Sequence, residues 1–446
     1  YHGTEPFAAG RRFGFFPAFS VGWVPSNEPF FPQNDWFTFL KIRASYGEVG
    51  NDKFGDYQLG AKRRYLYLPN TYLTGQPGYW WGNTGNTPSD YYSGTTEGDL
   101  GNDLVTWERA RKTNLGIEMG FFSDRLMLTA DFFNEDRSNI LTIVEITPGI
   151  YGVPDSKVPP ANVGKTNNKG YEVAVAWKDR SGNFSYSVEG HVSYSKNKII
   201  YRAEPNNPYS WMNQTGHSIG QTFGYRSDGL FNTLEELAAR PYVTSTGNQA
   251  SLGDVRYVDL NGDGVIDDKD IAPIGYPNYP QYHFGLKLSF SWKGIDLRML
   301  FNGTANGSFY IHHNMANAYF KRASNAWQWQ YDNRWTPEKA AAGVEATYPR
   351  PTFSASSAHN NYLISDFWMR SNDFIKLKNI ELGYTLPTNL RFMKAAGISS
   401  FRVYVNANND FTFLNKMKDI GIDPAPTDPG INDARTAYIF PLTRVF

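Results

Sequence analysis

The feature that most constrains the fold of this chain is a strict two-residue alternation from residue 184 to residue 195. Every even position from Phe184 to Tyr194 is apolar or glycine, and every odd position from Ser185 to Ser195 is polar. This period is typical of a β-strand with one wet face. At about 3.3 Å per residue the segment extends about 40 Å, enough to cross a hydrocarbon layer about 30 Å thick at a tilt of about 45°. Because strands of soluble proteins average about five or six residues, the pattern favours a membrane β-barrel over an ordinary β-sandwich.

The same alternation recurs along the chain, with the charged residues on one face only. It is present at 114–121, 171–178, 283–292, 296–302 and 401–408. In a water-soluble sandwich the apolar face forms a core and the charged face meets solvent. In a transmembrane barrel the apolar face meets lipid and the charged face lines a polar lumen. Alternation alone leaves both folds open.

Composition narrows the classes of protein that remain. No run of about 18 apolar residues is present, so the sequence predicts no transmembrane helix. Aromatic residues make up 16% of the chain, which suits the aromatic girdles of membrane barrels and equally suits carbohydrate-binding β proteins. A formal net charge of zero without a basic tract argues against a nucleic-acid partner. The first residues lack the charged and apolar segments of a signal peptide, so we expect a processed protein or a fragment.

The spacing of the predicted strands separates the two folds. Short turns near Ser123, Gly182 and Gly294 alternate with the long connections 50–108, 201–280 and 314–372. A membrane barrel requires this alternation because every second connection lies on the same side of the membrane, and irregular loops of more than about 15 residues are uncommon inside compact soluble domains. The sequence therefore predicts an all-β, antiparallel transmembrane β-barrel with periplasmic short turns and extracellular long loops. Eleven strands are predicted, at 11–26, 36–49, 109–122, 125–140, 163–178, 184–200, 281–293, 296–312, 374–388, 399–411 and 437–446.

Several short sequence motifs, spread in order over the whole chain, closely resemble those of the SusC/RagA family of TonB-dependent outer-membrane transporters. They lie at 13–23, 40–47, 107–108, 114–116, 162–164, 168–172, 374–384 and 401–409. The resemblance implies a barrel of about 22 strands, of which residues 1–446 would form the C-terminal half. The plug domain, the segment that engages TonB and the first half of the barrel would be absent from this chain.

The resemblance also implies what the complete protein does. It would lie in the outer membrane and import oligosaccharides or peptides, energised by TonB through the missing N-terminal part, with a SusD-like surface lipoprotein closing as a lid over the extracellular loops. The residues themselves leave other functions open: a passive porin or structural barrel, or a secreted carbohydrate-binding or glycoside-hydrolase β protein.

One segment of the long loop 201–280 predicts a structural calcium site. Residues 259–270 match the template of an EF-hand-like calcium loop, which curls oxygen ligands around one cation and uses a glycine for the sharp turn. Gly264 takes the turn position, and an aspartate replaces the usual bidentate glutamate at the last position. The alternative is a polar turn that holds no ion. The predicted ligands are Asp259, Asn261, Asp263, the carbonyl of Val265, Asp267 (through water) and Asp270.

Aromatic residues in the long loops are candidates for contact with substrate or partner. Flat rings beside amides suit stacking on sugar faces, but loop aromatics equally pack against one another or against a lid. The candidates are Trp80, Trp81, Tyr91, Tyr92, Trp327, Trp329 and Trp335. A second set, of predicted lumen-facing charges, could line a solute path or form ion-pair networks: Glu118, Asp131, Glu172, Lys178, Glu189 and Arg298.

The sequence gives little support to an enzyme. His312 and His313 are adjacent and would point to opposite faces of a strand. A His-Glu-x-x-His motif, a nucleophile elbow and cysteine are all missing from the sequence. Distant paired carboxylates of a glycosidase stay open, but the sequence predicts a protein without catalytic residues.

Overall fold

The largest element of the fold is one antiparallel sheet of ten strands in simple chain order. The computed structural model describes residues 2–53, 64–69, 72–80, 91–144, 158–239, 242–243, 250–311, 313–319, 325–352 and 360–425. Each strand pairs with its neighbours in the chain, as in up-and-down barrels. The strands are β1 (Ala18–Trp23), β2 (Phe37–Asn51), β3 (Glu108–Phe121), β4 (Leu126–Thr142), β5 (Ala161–Ser181), β6 (Phe184–Tyr201), β7 (Tyr282–Trp292), β8 (Ile295–Ala305), β9 (Phe374–Thr385) and β10 (Arg402–Asn415).

The register of the sheet separates apolar from polar side chains. Val188 of β6 pairs with Trp177 of β5 and with Leu288 of β7, whereas the next residue, Glu189, pairs with Lys287. Since directly opposite side chains share a face, the alternation on each strand adds up to two chemically different surfaces. We call the surface that contains Val188 the apolar face and the surface that contains Glu189 the polar face.

Three tight turns join strands on one side of the sheet. Ser123 and Asp124, between β3 and β4, have φ values of 57° and 60°. Gly182, between β5 and β6, has φ 60°, and Lys293 and Gly294, between β7 and β8, have φ 49° and 88°. Left-handed residues in such short turns match the right-handed twist of the flanking strands. On the opposite side of the sheet lie the long connections 52–107, 143–160, 202–281 and 306–373, so the alternation of short and long connections is confirmed.

Eight of the eleven predicted strands are confirmed to within four residues at each end, and two others differ more in extent. The predicted strand 11–26 is much shorter, because only Ala18–Trp23 pair with β2. The predicted strand 296–312 ends at Ala305, and Ser308–Tyr310 instead pair with Met369–Ser371 in a separate small sheet. Asn306, with φ 59°, breaks the extended backbone between the two. The predicted strand 437–446 lies outside the described residues.

The long connections contain regular structure of their own. In 50–108, where the sequence shows no periodicity, Tyr72–Trp80 and Tyr91–Glu97 form an antiparallel hairpin. Three pairs of short strands lie in 202–281: Thr222–Gly224 with Ala272–Ile274, Ser227–Leu230 with Val255–Tyr257, and Tyr242–Val243 with Val265–Ile266. Before β1, His2–Gly3 pair with Phe13–Gly14. The α-helices are α1 (Leu234–Ala239), α2 (His313–Ala316), α3 (Gln328–Asn333), α4 (Pro337–Ala341) and α5 (Arg391–Ala395).

The helices are all short. The 3₁₀ turns are Pro25–Asn27, Ser210–Met212, Asp268–Asp270, Asn360–Tyr362, Asp366–Trp368 and Lys418–Ile420. In the part of the chain that the structure describes, no helix has both the length and the apolar content needed to cross a membrane.

Candidate functional site

The polar face carries separate groups of ion pairs that join neighbouring strands. Arg43 of β2 lies 3.3 Å from Glu118 of β3 and 2.6 Å from Asp131 of β4. Further along the sheet, Glu189 of β6 lies 3.8 Å from Lys178 of β5 and 3.4 Å from Lys287 of β7. The predicted lumen-facing charges therefore do share one face.

The far end of this face is denser in charge. Arg402 of β10 donates to both oxygens of Asp296, at 3.0 and 2.5 Å, and to Glu381 at 2.6 Å. Arg298 approaches the same Glu381 only at 3.9 Å. Glu172 pairs in register with Asp131, which places two carboxylates side by side on this face.

These pairs leave the polar face hydrated. The Lys178 and Arg298 side chains are 67% and 59% exposed, and exposed ion pairs typically contribute only about 0–1 kcal/mol each. The charges therefore line the surface without fixing the sheet. A wall of this kind, apolar outside and charged inside, suits a barrel that encloses a polar path.

Two apolar clusters organise the long connections. Loop core 1 contains Phe309, Ile311, Tyr348, Trp368 and Met417, and so joins the connection 306–373 to the segment after β10. Trp368 donates from Nε1 to the Asn361 carbonyl at 2.7 Å. Its ring meets that of Tyr348 edge-on at 5.7 Å between centroids. These loops are packed rather than free.

Loop core 2 joins the connection 202–281 to 306–373. It contains Tyr225, Val255, Tyr257, Ile266 and Trp335. Burial raises the pKa of Tyr257 well above its usual value, so the hydroxyl stays protonated and donates to the Asn360 carbonyl at 2.5 Å.

A buried carboxylate beside loop core 2 ties the same two connections together. Asp254 is fully buried and accepts two hydrogen bonds from Arg350, at 2.7 and 3.1 Å. The Asn361 amide donates to it at 2.9 Å, and the backbone N–H of Ser251 at 2.8 Å. No local motif in the sequence marks this group, because Arg350 and Asn361 lie about a hundred residues from Asp254.

Three of the candidate aromatic residues lie in the hairpin Tyr72–Trp80/Tyr91–Glu97. Trp80 and Tyr92 are 54% and 61% exposed, and the neighbouring Tyr79 is 76% exposed. The Tyr91 ring packs against Trp80 at 5.0 Å between centroids, and its hydroxyl accepts from the Gly78 N–H. Trp81 lies outside the described residues. The hairpin thus presents an exposed aromatic surface on the side of the long connections.

The other three candidates differ in burial. Trp327, just before α3, is about half exposed. Trp329 packs edge-on against Tyr348 of loop core 1, and Trp335 is buried in loop core 2 with its Nε1 donating to Asn232 at 2.9 Å. The positions of these last two tryptophans match the alternative of loop packing.

The acidic loop 259–270 is curled in the way its glycines allow. Asp259 accepts from the backbone N–H groups of Gly262 and Gly264, at 2.7 and 2.8 Å, and both glycines have left-handed φ values, 75° and 85°. Asp270 is fully buried and accepts from the N–H groups of Leu260 and Asp267.

A cation of the chain itself neutralises part of this loop. The Lys269 ammonium lies 3.2 Å from a carboxylate oxygen of both Asp263 and Asp267. Hydrogen bonds from Lys269 and Asn261 hold the pKa of the Asp263 carboxyl below its usual value. Over the described ranges, no group of three or more His, Cys, Asp or Glu side chains is gathered as for a metal ion. The bound calcium therefore stays a prediction, as do the ligand roles of Asn261 and Val265.

A second buried ion pair was also not predicted from the sequence. The Lys376 ammonium, almost fully buried, lies 2.8 Å from both oxygens of Asp423. It tethers the segment after β10 to the start of β9, beside a cavity of about 400 Å³ that Asn409, Thr412 and Asn415 help to line. A strand with one polar face is expected to expose its lysines to water, so the sequence around Lys376 gave no sign that this side chain is buried.

Comparisons with known proteins agree with this architecture. TonB-dependent receptor P39 of Formosa agariphila is 27% identical over 447 residues, covering 93% of this chain and 40% of the receptor. TonB-dependent receptor SusC of Bacteroides thetaiotaomicron is 24% identical over 442 residues, covering 95% of this chain and 39% of that protein. The chain thus spans about 40% of the length of these curated relatives.

Solved structures show the same fold. The structure of the RagAB peptide transporter superposes with a TM-score of 0.66 at 19% identity, covering 94% of this chain and 42% of that one. The RagAB peptide importer in its open-open state gives a TM-score of 0.65 at 19% identity. No protein-family model matches the chain.

Proposed function

We propose that this chain, a member of the SusC/RagA family of TonB-dependent receptors, forms part of the barrel wall of an active nutrient importer in the outer membrane. The observation that carries the proposal is the pairing of an apolar outer face with a charged, hydrated inner face on ten consecutive antiparallel strands. The relatives and structural neighbours are named as receptors and transporters, and none of these names describes an enzyme.

The energy source separates this function from that of a passive pore. Cells that express the full-length receptor are given labelled oligosaccharides and labelled peptides, and uptake is measured with and without a proton uncoupler. Active import through TonB requires that the uncoupler abolish uptake. Uptake that continues after uncoupling would support the passive porin instead. Running both substrate classes in parallel decides between oligosaccharide and peptide, which the polar face alone leaves open.

A lipoprotein lid of the SusD type is the partner that the long connections suit. Loop cores 1 and 2 hold these connections in a packed form, and the aromatic hairpin offers a partner large rings at low conformational cost. A prefolded surface of this kind favours a stable complex over a transient contact, because less chain has to be ordered on binding.

A pull-down with paired variants tests the lid. Tyr79→Ala with Trp80→Ala removes two exposed rings from the hairpin and should weaken binding of the surface lipoprotein by about tenfold or more. Phe30→Ala is the matched control, since Phe30 is an exposed ring in the connection between β1 and β2 on the opposite side of the sheet. Equal binding by the hairpin variant and the control, or purification without a stoichiometric lipoprotein, would contradict the proposal.

A further inference from the structure

At the edge of the apolar face that leads into the long connections, a row of tyrosines is followed directly by lysines. Tyr171 of β5, Tyr194 of β6 and Tyr282 of β7 form one row in register. The rings of Tyr194 and Tyr282 lie 4.7 Å apart, and those of Tyr171 and Tyr194 lie 5.5 Å apart. Amphipathic rings of this kind mark the boundary between hydrocarbon and lipid head groups.

Lysines occupy the same face directly beyond the tyrosine row. Lys169 and Lys196 pair in register, one pleat beyond Tyr171 and Tyr194, and Lys198 follows in the next row opposite Asn167. Lys165 pairs with Tyr201 at the end of the two strands. All four lysine side chains are exposed. We call Lys165, Lys169, Lys196 and Lys198 the lysine patch.

The lysine patch has no ion-pair partner among the described carboxylates. Asp136, the acid nearest in register, accepts from the amides of Asn134 and Asn167 instead. Glu204, beyond the end of β6, accepts from the backbone of Gln214 and from Thr215. Like charges directly opposite each other on a sheet are destabilising, so the Lys169–Lys196 pair carries a repulsion that the chain itself does not relieve.

Neighbouring basic groups are treated differently. Arg111, three strands away in the same row as Lys198, is paired with Glu48 at 3.2 Å. At the opposite edge of the face, Arg125 is paired with Asp179 at 3.3 Å, and Lys293 lies over the Trp292 ring. Uncompensated positive charge is therefore concentrated on the β5–β6 hairpin, at the level where the tyrosines end.

We propose that the lysine patch binds the phosphate of an outer-leaflet glycolipid. The inference rests on the proposed function for the assignment of the long connections to the cell exterior. An ammonium group on a flexible stem is a compact phosphate binder, and residues two apart on a strand lie about 7 Å from each other, so several ammonium groups converge on one phosphate. The acyl chains of the same lipid lie along Tyr194, Val192 and the apolar face below them. Bound phosphate relieves the repulsion between Lys169 and Lys196.

Binding to defined lipids tests the patch. The full-length receptor, folded in detergent micelles, is titrated with lipid A, with the same lipid after phosphatase treatment, and with inorganic phosphate. The wild-type receptor should bind lipid A at least tenfold more tightly than the dephosphorylated lipid, and high salt should reduce that preference. Lys169→Gln with Lys196→Gln should abolish the preference and leave binding of the dephosphorylated lipid unchanged.

The matched control is Lys293→Gln with Lys394→Gln, which removes the same charge at the other edge of the sheet, where both side chains belong to the short-connection side. Heat-modified migration of each variant on electrophoresis verifies that the barrel is folded.

Three results would overturn the inference. A patch variant that keeps the preference for lipid A removes the lysines from the site. Equal binding of lipid A and its dephosphorylated form shows that acyl contacts alone are recognised. Competition by inorganic phosphate at the same concentration as lipid A assigns the patch to free phosphate. The assay includes no transport step, so the two proposals can fail separately. A receptor that imports nutrient but shows no preference for lipid A refutes this inference alone. A receptor that binds lipid A but shows no energised uptake refutes the proposed function alone.

Discussion

Val188 lies near the middle of the apolar face, where an arginine should be costly. The apolar positions of β6 run from Phe184 to Tyr194, ten residue steps or about 33 Å at about 3.3 Å each. At a strand tilt of about 40° this length projects to about 25 Å, the height of the apolar band of a membrane barrel. Val188 is four steps from Phe184, about 10 Å above one edge and within about 3 Å of the midplane. Val188→Arg should therefore cost about 2–4 kcal/mol of folding free energy, a loss of about 30-fold to 700-fold in the ratio of folded to unfolded barrel.

Two variants on the same strand control for depth and for face. Tyr194→Arg places the same charge at the tyrosine row, where the cost should fall to about 0–1 kcal/mol. Ser187→Arg places it on the polar face opposite Lys178, where the like charge should cost about 0.2–1 kcal/mol. The fraction of folded receptor is measured by its heat-modified migration on electrophoresis after urea titration in lipid vesicles. If Ser187→Arg costs more than Val188→Arg, the faces are assigned the wrong way round, and equal costs would show that the two faces do not differ in lipid contact. If Tyr194→Arg costs as much as Val188→Arg, the tyrosine row is not the edge of the hydrocarbon layer.

Three further predictions concern the long connections. Arg350→Ala leaves the buried Asp254 carboxylate unpaired, so we expect a local destabilisation of about 3 kcal/mol, seen as faster hydrogen exchange at 250–258 and 360–368 with unchanged exchange in β6. The pKa of Glu204 is lowered, because hydrogen bonds to its carboxylate outweigh the opposing effect of burial. The stability that the ionised carboxylate gives to the folded loop is present above the unfolded pKa and is lost as the pH falls through the folded pKa. Limited proteolysis of 202–218 should accelerate in that acidic window, and Glu204→Gln should remove the pH dependence. If the predicted calcium ion binds at 259–270, it competes with the Lys269 ammonium, so Lys269→Gln should tighten calcium binding and Asp263→Ala should abolish it by calorimetry; equal, negligible heats for both variants and the wild type would reject the site.

The sheet was predictable because its signal is local. The predicted strand 184–200 corresponds to Phe184–Tyr201, since each residue of a strand with one lipid face and one wet face reports its side through its own polarity. The turns at Gly182 and Gly294 were predictable because glycine, which has no Cβ, adopts left-handed φ values without strain.

The site was less predictable because its contacts are distant in sequence. Trp335 and Asn232 are 103 residues apart, and Asp254 and Arg350 are 96 apart. Neither pair forms a pattern that a local window detects. The hairpin Tyr72–Trp80/Tyr91–Glu97 lacks alternation because glycine, proline and exposed rings interrupt it, so its pairing is visible only in three dimensions. The acidic loop is the opposite case, because its motif is local and the curled backbone could be predicted from it. The role of Lys269 could not, because it depends on the conformation of a long side chain.

The packing of the long connections has a consequence for exchange of sequence between related receptors. Loop cores 1 and 2 use no residue of the ten-stranded sheet, yet loop core 1 joins 306–373 to the segment after β10 and loop core 2 joins 202–281 to 306–373. A relative that receives 202–281 from this chain without 306–373 would gain Asp254 without Arg350, the residue that pairs with it here. Recombination or loop grafting that keeps this packing therefore has to transfer both connections together, as one unit of inheritance. The strands between them can diverge independently, constrained by the lipid they face.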